Sequence, residues 1–271
     1  MGGRDCVGGG TWFCAGVNGR VAFVTNIRNR RALKKGAPSR GELPIRFVAG
    51  NASPEQYLEE VTASGQHAGF NLVVADLSLM HAEIEKISDK TEEKPNCDSS
   101  HYSNMYYYTN SSKYGDDIAP KRPLPLAPGL HGLSNASINQ PWPKVKRGLE
   151  QFQQLIDSGA FDSASDLGGN AGLMGSFPWD DIFRIMSDST KLSQGDDVPE
   201  TGYGVEFETA ASSIFIQPTQ LDGIQFGTRS TTVLVIGRDG RAELREKFIT
   251  DDGSWAEERH AFQLKTWMMG G

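Results

Sequence analysis

The sequence predicts an α+β protein, an αββα sandwich in which helices cover two stacked, mainly antiparallel sheets. Asn18-Gly19, between runs of β-branched and aromatic residues, is a strong signal for a hairpin near the start of the chain. The stretch from Phe70 to Leu77 is apolar on both alternating faces apart from Asn71 and Asp76, as in a strand that is covered on both sides. Several consecutive strand patterns then fill the last third, and we expect one domain over residues 1–271.

The first half alternates strand and helix signals. The hairpin strands are expected at 11–15 and 20–25, and a helix at 42–49. A second helix begins after Ser53, which can cap it, with Pro54 at the first helical position and Gln56 completing a capping box. Residues 105–109 are predicted to form a partner strand for 70–77. The acidic, Ser-rich segment 83–104 between them reads as an insertion loop.

The second half is predicted to start with a strand at 130–134. A helix follows Pro143, with an apolar stripe that consists of Val145, Leu149, Phe152 and Ile156. Residues 157–176 read as a loop, and a shorter helix from Pro178 to about Asp188 directs Ile182, Ile185 and Met186 inward. Four strands are then expected, at 212–217, 231–236, 242–248 and 257–264, with a turn at Asp239-Gly240.

Composition excludes several classes of function. The net charge is −7 and the pI is near 5.3, which argues against nucleic-acid binding, and the one dense basic run, Arg28 to Lys35, reads as a solvated loop. The three cysteines are irregularly spaced and fit a reducing compartment, and no spacing typical of a metal site is present. No apolar run is long enough to predict a transmembrane segment.

Four separated motifs carry a family resemblance. They are Gly8 to Asn26, Gly69 to Asp76, Pro128 to Ala136 and Phe226 to Thr232, in that order. Together they resemble the Transport and Golgi organisation protein 2 family, also called the NRDE family, which is itself similar to the N-terminal nucleophile hydrolases. The resemblance implies a single NRDE-type domain and the same αββα sandwich.

Two elements of the family pattern are missing. Its usual members open with Met-Cys and carry an Asn-Arg-Asp-Glu motif, whereas this chain starts with Met1-Gly2. An N-terminal nucleophile hydrolase needs the nucleophile and the free α-amine on one residue. We therefore expect a truncated member that lacks the first strand and has no catalytic residue, with Cys6 as a loop cysteine and Cys14 as a buried thiol. The alternative is an amide or thioester hydrolase that is active only in a longer isoform.

The resemblance also implies a pocket. Asn26, Asn135 and Arg229 match positions where acylase-like relatives keep oxyanion donors and an arginine that orients the substrate. The two asparagines could instead cap turns, and Arg229 could pair with an acidic neighbour. His131 completes the candidate pocket, as a haem ligand or as an ordinary hydrogen-bonded histidine.

The implied function is the binding or handling of a small amphipathic molecule, haem or an acyl thioester such as an acyl-coenzyme A. Haem is thus the candidate cofactor, and neither a nucleic acid nor a metal ion is expected. The family links such a protein to Golgi organisation and secretion or to lipid and haem homeostasis. We expect it in the cytoplasm, with the Golgi and mitochondria as alternative locations.

Overall fold

The computed structural model describes residues 1–30, 34–78, 104–110, 122–138, 142–162, 177–193, 196–221 and 223–265. In chain order its elements are β1 (Phe13–Ala15), β2 (Arg20–Asn26), α1 (Glu42–Ala49), α2 (Pro54–Ser64), β3 (Phe70–Asp76), β4 (Met105–Thr109), β5 (Leu124–Pro125), α3 (Pro143–Asp157), α4 (Trp179–Met186), α5 (Val205–Ala210), β6 (Thr219–Leu221), β7 (Ile224–Phe226), β8 (Ser230–Ile236), β9 (Arg241–Ile249) and β10 (Trp255–Gln263). Strands and helices alternate in the first half, and five strands follow α5 in the described part of the chain.

A five-stranded antiparallel sheet forms the first half, in the order β1-β2-β3-β4-β5. The hairpin turn at Asn18-Gly19 and the fully buried β3 were both predicted, and both are confirmed. Helices α1 and α2 cover one face of this sheet, and the side chains between them form the larger core, which includes Phe47, Leu58 and Leu72. The capping box of α2 is also confirmed: Ser53 Oγ accepts from the Gln56 amide, and the Gln56 side chain accepts from the Ser53 amide.

A three-stranded antiparallel sheet, β10-β9-β8, forms most of the C-terminal part. Helices α3 and α4 pack against it around Leu155, Ile182 and Ile185, with Val233 of β8 against the same cluster. Two cations of β9 stack on aromatic rings of α4: the guanidinium of Arg245 lies 4.1 Å from the ring centre of Trp179, and Lys247 Nζ lies 4.3 Å from that of Phe183. The cationic face of β9 is therefore the face that meets α4.

Two predicted strands are wrong. Residues 130–134 are irregular because the Ser134 carbonyl accepts from the side chains of Thr25 and Asn71 and takes no part in a ladder. Residues 212–217 are irregular because the Phe215 amide bonds to the Asp188 carbonyl and the Ile216 amide to a threonine hydroxyl. Side-chain and loop partners thus replace a neighbouring strand in both segments.

The inward faces of two helices also differ from the prediction. Leu155 is buried on α3 and Ile156 is exposed, one residue further around the helix. Met186 of α4 is exposed because Trp179, Ile182 and Phe183 already fill the face that meets the sheet, together with Ile185. The short helix α5 and the β6–β7 hairpin were not predicted.

The architecture is mixed, with antiparallel sheets and helices, as the α+β prediction requires. Residues 83–103 of the predicted insertion and 163–176 of the predicted loop lie outside the described residues. In the part of the chain that the structure describes, no helix has the length and apolar character needed to cross a membrane.

Candidate functional site

Asn26 and Asn135, both predicted pocket residues, lie together at the end of β2. Asn135 Nδ2 donates to the Asn26 carbonyl at 2.8 Å. Asn135 Oδ1 accepts from the guanidinium of Arg28 at 3.2 Å, and its carbonyl accepts from the Arg28 amide at 2.9 Å. The Asn135 side chain therefore joins the strand end to Arg28.

Arg28 is the centre of a buried charged cluster. Its guanidinium donates to Glu208 Oε2 at 2.8 Å, and the Glu208 side chain is 2% exposed. The Thr201 hydroxyl donates to the other oxygen of Glu208. The same guanidinium lies over the Trp142 ring at 4.7 Å and near that of Phe207 at 5.6 Å. This pairing links the end of β2 to α5, 180 residues further along the chain.

Lys144 adds a second cation beside this cluster. It is 9% exposed, and its Nζ donates to the Ala211 carbonyl at 3.2 Å. Burial first, and then the positive charge of Arg28, lower the pKa of the Lys144 ammonium from 10.5 to about 8, with Glu208 acting in the opposite direction. At neutral pH two buried cations thus face one carboxylate.

A polar network behind β2 holds the segment that carries Asn135. Asn71 is fully buried, and its Nδ2 donates to the carbonyls of Ser134 and Ala136 at 3.3 and 2.9 Å. Its Oδ1 accepts from the Tyr107 hydroxyl at 2.8 Å, and that hydroxyl accepts from the Ile138 amide. The one amide side chain inside an apolar strand therefore fixes residues 134–138 on the sheet.

Asn26 also lines a cavity of about 650 Å³. We call it the basic cavity, and its defining residues are Asp5, Trp12, Asn26, Lys34, Lys35 and Arg40. Trp12 is 44% exposed, so much of its indole is uncovered. An open indole beside several cations is an arrangement that can hold a molecule with both aromatic and anionic parts.

Positive charge dominates the basic cavity. Lys34 Nζ donates to the Gly65 carbonyl and Arg40 to the Gly69 carbonyl, both at 3.0 Å, so both cations are held in place by backbone. Partial burial lowers the pKa of the Arg40 guanidinium. Hydrogen bonds from the amides of Gly8 and Val7 lower the pKa of the Asp5 carboxyl, which leaves one carboxylate against three cations.

Two glycines let residues 34–41 approach the first hairpin. The Thr11 amide donates to the Gly41 carbonyl at 3.0 Å. A Cβ on Gly10 would lie 2.6 Å from the Gly41 Cα, which is closer than real Cβ atoms approach backbone. Any side chain at Gly10 would therefore push residues 34–41 away from Trp12 and open the cavity.

Arg229 and His131 lie apart from the asparagines. Arg229 is exposed and lines a different cavity of about 470 Å³, beside the β6–β7 hairpin. His131 is exposed and outside any strand, with its Nε2 2.6 Å from the Ala127 carbonyl. The structure thus brings together two of the four predicted pocket residues.

The described cysteines are both free thiols. Cys6 is exposed, and Cys14 is buried in β1 as predicted. Burial raises the pKa of the Cys14 thiol to about 11, with the N-terminal charge acting in the opposite direction. Cys14 is therefore almost wholly protonated near pH 7, and Cys97 lies outside the described residues.

Sequence reasoning missed most of these charged residues. The run from Arg28 to Lys35 was read as solvated, and this holds for Lys34 and Lys35 but is wrong for Arg28, whose side chain is 13% exposed and paired with Glu208. Residues 31–33 of the run lie outside the described residues. Two residues could have indicated these sites from the sequence. They are Trp12, an aromatic residue beside the hairpin, and Lys144, a lysine at the start of a helix with an apolar stripe. In the part of the chain that the structure describes, no cluster of His, Cys, Asp or Glu could hold a metal ion.

Comparisons with known proteins agree with the resemblance. The model of the family described as Transport and Golgi organisation 2 matches residues 1–251. A bovine protein named Transport and Golgi organization protein 2 homolog is 26% identical over 261 residues, which cover 95% of this chain and 79% of the relative. The human homolog is 24% and the mouse homolog 22% identical, with the same coverage. The chain therefore belongs to the Transport and Golgi organisation 2 family.

Proposed function

We propose that this member of the family binds an acyl-coenzyme A or a similar anionic amphipathic molecule in the basic cavity. The observation that supports the proposal is the set of three cations and one open indole around a space of about 650 Å³. Ligand pockets of roughly 300–1,000 Å³ with a few placed polar groups are typical of small-molecule sites. In this proposal the phosphate oxygens of coenzyme A are bound by Lys34, Lys35 and Arg40. Trp12 stacks on the adenine base of coenzyme A or contacts the acyl chain.

An acyl thioester fits this cavity better than haem. The residues that line it include no histidine, cysteine, methionine or tyrosine among those described, so the usual axial ligands of haem iron are missing from the described lining. His131 lies outside the lining. Several cations close together match the several phosphate charges of coenzyme A, whereas haem offers only two propionates. We propose a role in lipid handling on this basis, and connect it through the family to Golgi organisation and secretion.

Calorimetric titration of the full chain with octanoyl-coenzyme A, free coenzyme A and octanoate tests this proposal. Lys35→Ala should weaken binding of both coenzyme A ligands by about tenfold, because it removes one charge-assisted contact. Trp12→Ala should weaken octanoyl-coenzyme A binding as well. Lys191→Ala, an exposed lysine far along the sequence, serves as the control. Equal affinity of Lys35→Ala, Trp12→Ala and the unchanged chain would contradict the proposal.

Haem is a separate arm of the same experiment. If the cavity binds an acyl-coenzyme A, hemin should bind weakly, and His131→Ala should leave its absorption spectrum unchanged. A Soret shift that disappears in His131→Ala would instead favour the haem carrier.

The αββα sandwich of N-terminal nucleophile hydrolases remains the proposed arrangement of the two sheets. A hydrogen bond of 2.8 Å from the Lys265 amide to the Val17 carbonyl supports it, since it joins the end of β10 to the first hairpin turn. Helices on one face of each sheet are a second supporting observation. The hydrolase activity expected of a longer isoform stays a prediction, and the raised pKa of Cys14 gives no reason to assign that activity to this thiol.

A further inference from the structure

A second cavity, distinct from the basic cavity, lies between α4 and the three-stranded sheet. Its volume is about 430 Å³, and we call it the aromatic cavity. Its defining residues are Phe183, Phe215, Thr231, Lys247, Trp255 and Glu257, and Gln217 also lines it. None of these residues was singled out as a functional residue by the sequence.

Three aromatic rings form the walls of the aromatic cavity. The rings of Phe215 and Trp255 have centroids 5.7 Å apart and are tilted by 47°. Phe183 of α4 lies beneath the Lys247 ammonium. Trp255 is 48% exposed, so much of its indole is uncovered. Walls of this kind favour a flat ring as the occupant.

The register of the sheet sets three polar side chains in one row. Thr231 of β8 pairs with Lys247 of β9, and Lys247 pairs with Glu257 of β10, so the three side chains project from the same face. Lys247 Nζ lies 3.8 Å from Glu257 Oε2, and both side chains are about two-fifths exposed. An ion pair this long and this exposed holds its partners weakly. Lys247 is therefore available to another anion.

Thr231 provides a hydrogen-bond donor beside that ammonium. It is 9% exposed, and its hydroxyl has no hydrogen-bond partner among the described residues. Because no described protein group uses this hydroxyl, it can donate to a ligand oxygen. The Gln217 side chain is likewise without a hydrogen bond in the described part of the chain, although it is exposed.

We propose that the aromatic cavity binds an aromatic monocarboxylate. The carboxylate accepts from Lys247 Nζ and from the Thr231 hydroxyl, and the ring lies between Phe215, Trp255 and Phe183. Glu257 turns toward solvent when the ligand replaces it at Lys247. Because Glu257 stays at the rim and Lys247 is the single cation among the described residues that line the cavity, a monoanion fits this site better than a phosphate dianion.

Calorimetric titration of the full chain with 1-naphthoate and with its neutral analogue 1-naphthalenemethanol tests the proposal. Lys247→Met should weaken 1-naphthoate binding by about tenfold and leave binding of the alcohol unchanged. Thr231→Val, which has nearly the same shape, should weaken 1-naphthoate binding severalfold. Trp255→Ala should weaken both compounds, because both use the ring wall. Lys191→Met, an exposed lysine, is the matched control and should bind like the unchanged chain.

Two further results separate this site from the basic cavity and from a folding defect. Lys35→Met should leave 1-naphthoate binding unchanged. If Lys35→Met lost 1-naphthoate binding and Lys247→Met kept it, the proposal would be overturned. Thermal unfolding identifies any variant that fails to fold, and Thr231→Val then decides alone. The proposal would also be overturned if the unchanged chain did not bind 1-naphthoate. It would be overturned as well if Thr231→Val and Lys247→Met both bound 1-naphthoate as tightly as the unchanged chain.

Discussion

Replacing Lys144 by methionine should stabilise the protein at neutral pH and destabilise it at alkaline pH. Methionine keeps an unbranched apolar stem like that of lysine and removes the buried charge. Lys144 is the second residue of α3, so its ammonium is also near the positive end of that helix. Its carbonyl partner Ala211 loses a hydrogen bond in the variant.

The magnitude follows from the lowered pKa. A folded-state pKa of about 8, against 10.5 in the unfolded chain, means that protonated Lys144 costs the folded state about 3 kcal/mol. The unfolded chain holds more protons than the folded one between these values, so this cost is fully present below pH 8 and disappears as the pH rises to about 10.5. The lost hydrogen bond costs about 1–2 kcal/mol at every pH. The net effect of Lys144→Met is therefore a gain of about 1–2 kcal/mol at pH 7 and a loss of about 1–2 kcal/mol near pH 10.5.

Urea unfolding at pH 7 and pH 10 measures this change of sign. Cys14 and Tyr57, whose pKa values burial raises to about 11 and about 12, reduce stability at high pH in both proteins and cancel in the difference. Lys146→Met, an exposed lysine on the same helix, is the control and should show little change at either pH. If Lys144→Met loses the same stability at both pH values, the attraction of Glu208 outweighs burial and the reasoning is wrong.

Three other expectations can be checked on the same protein. Asp76→Ala should lower the free energy of unfolding by about 3–5 kcal/mol, because it leaves the buried guanidinium of Arg20 without its carboxylate; the exposed Asp181→Ala should cost less than about 1 kcal/mol. Alkylation followed by mass spectrometry should find Cys14 far slower than Cys6, since a thiol pKa of about 11 in place of 9.0 reduces the thiolate fraction about a hundredfold; comparable rates would contradict its burial. Asn71→Ala should cost at least about 2 kcal/mol and should speed limited proteolysis within 134–138, and unchanged proteolysis would mean that another contact holds that segment.

Local signals predicted the fold well where one segment determines its own structure. The Asn18-Gly19 hairpin and the Ser53 capping box depend on residues within a few positions, and both formed as expected. The strand prediction for residues 130–134 failed because the backbone of this segment bonds to the side chains of Thr25 and Asn71, more than sixty residues away. No periodicity in a segment reports which distant side chain will accept or donate to it.

The same limit explains what was missed in the candidate site. Asn26 could be placed at a strand end from its own sequence, but the pairing of Arg28 with Glu208 joins residues 180 positions apart. A basic run reads as solvated unless the distant carboxylate is known. The aromatic cavity likewise depends on the register that aligns Thr231, Lys247 and Glu257 across three strands.

The end of β2 connects the basic cavity to the buried charged cluster. Asn26 lines the cavity, its carbonyl accepts from Asn135, and the amide oxygen of Asn135 binds Arg28. Arg28 in turn is held by Glu208, beside Lys144. Lys144 and Arg28 repel each other electrostatically, so we expect a change in the charge of Lys144 near pH 8 to act on the groups that position Asn26. Because hydrogen bonds link these groups, we expect the cavity wall to depend on the charge balance of residues that do not line the cavity.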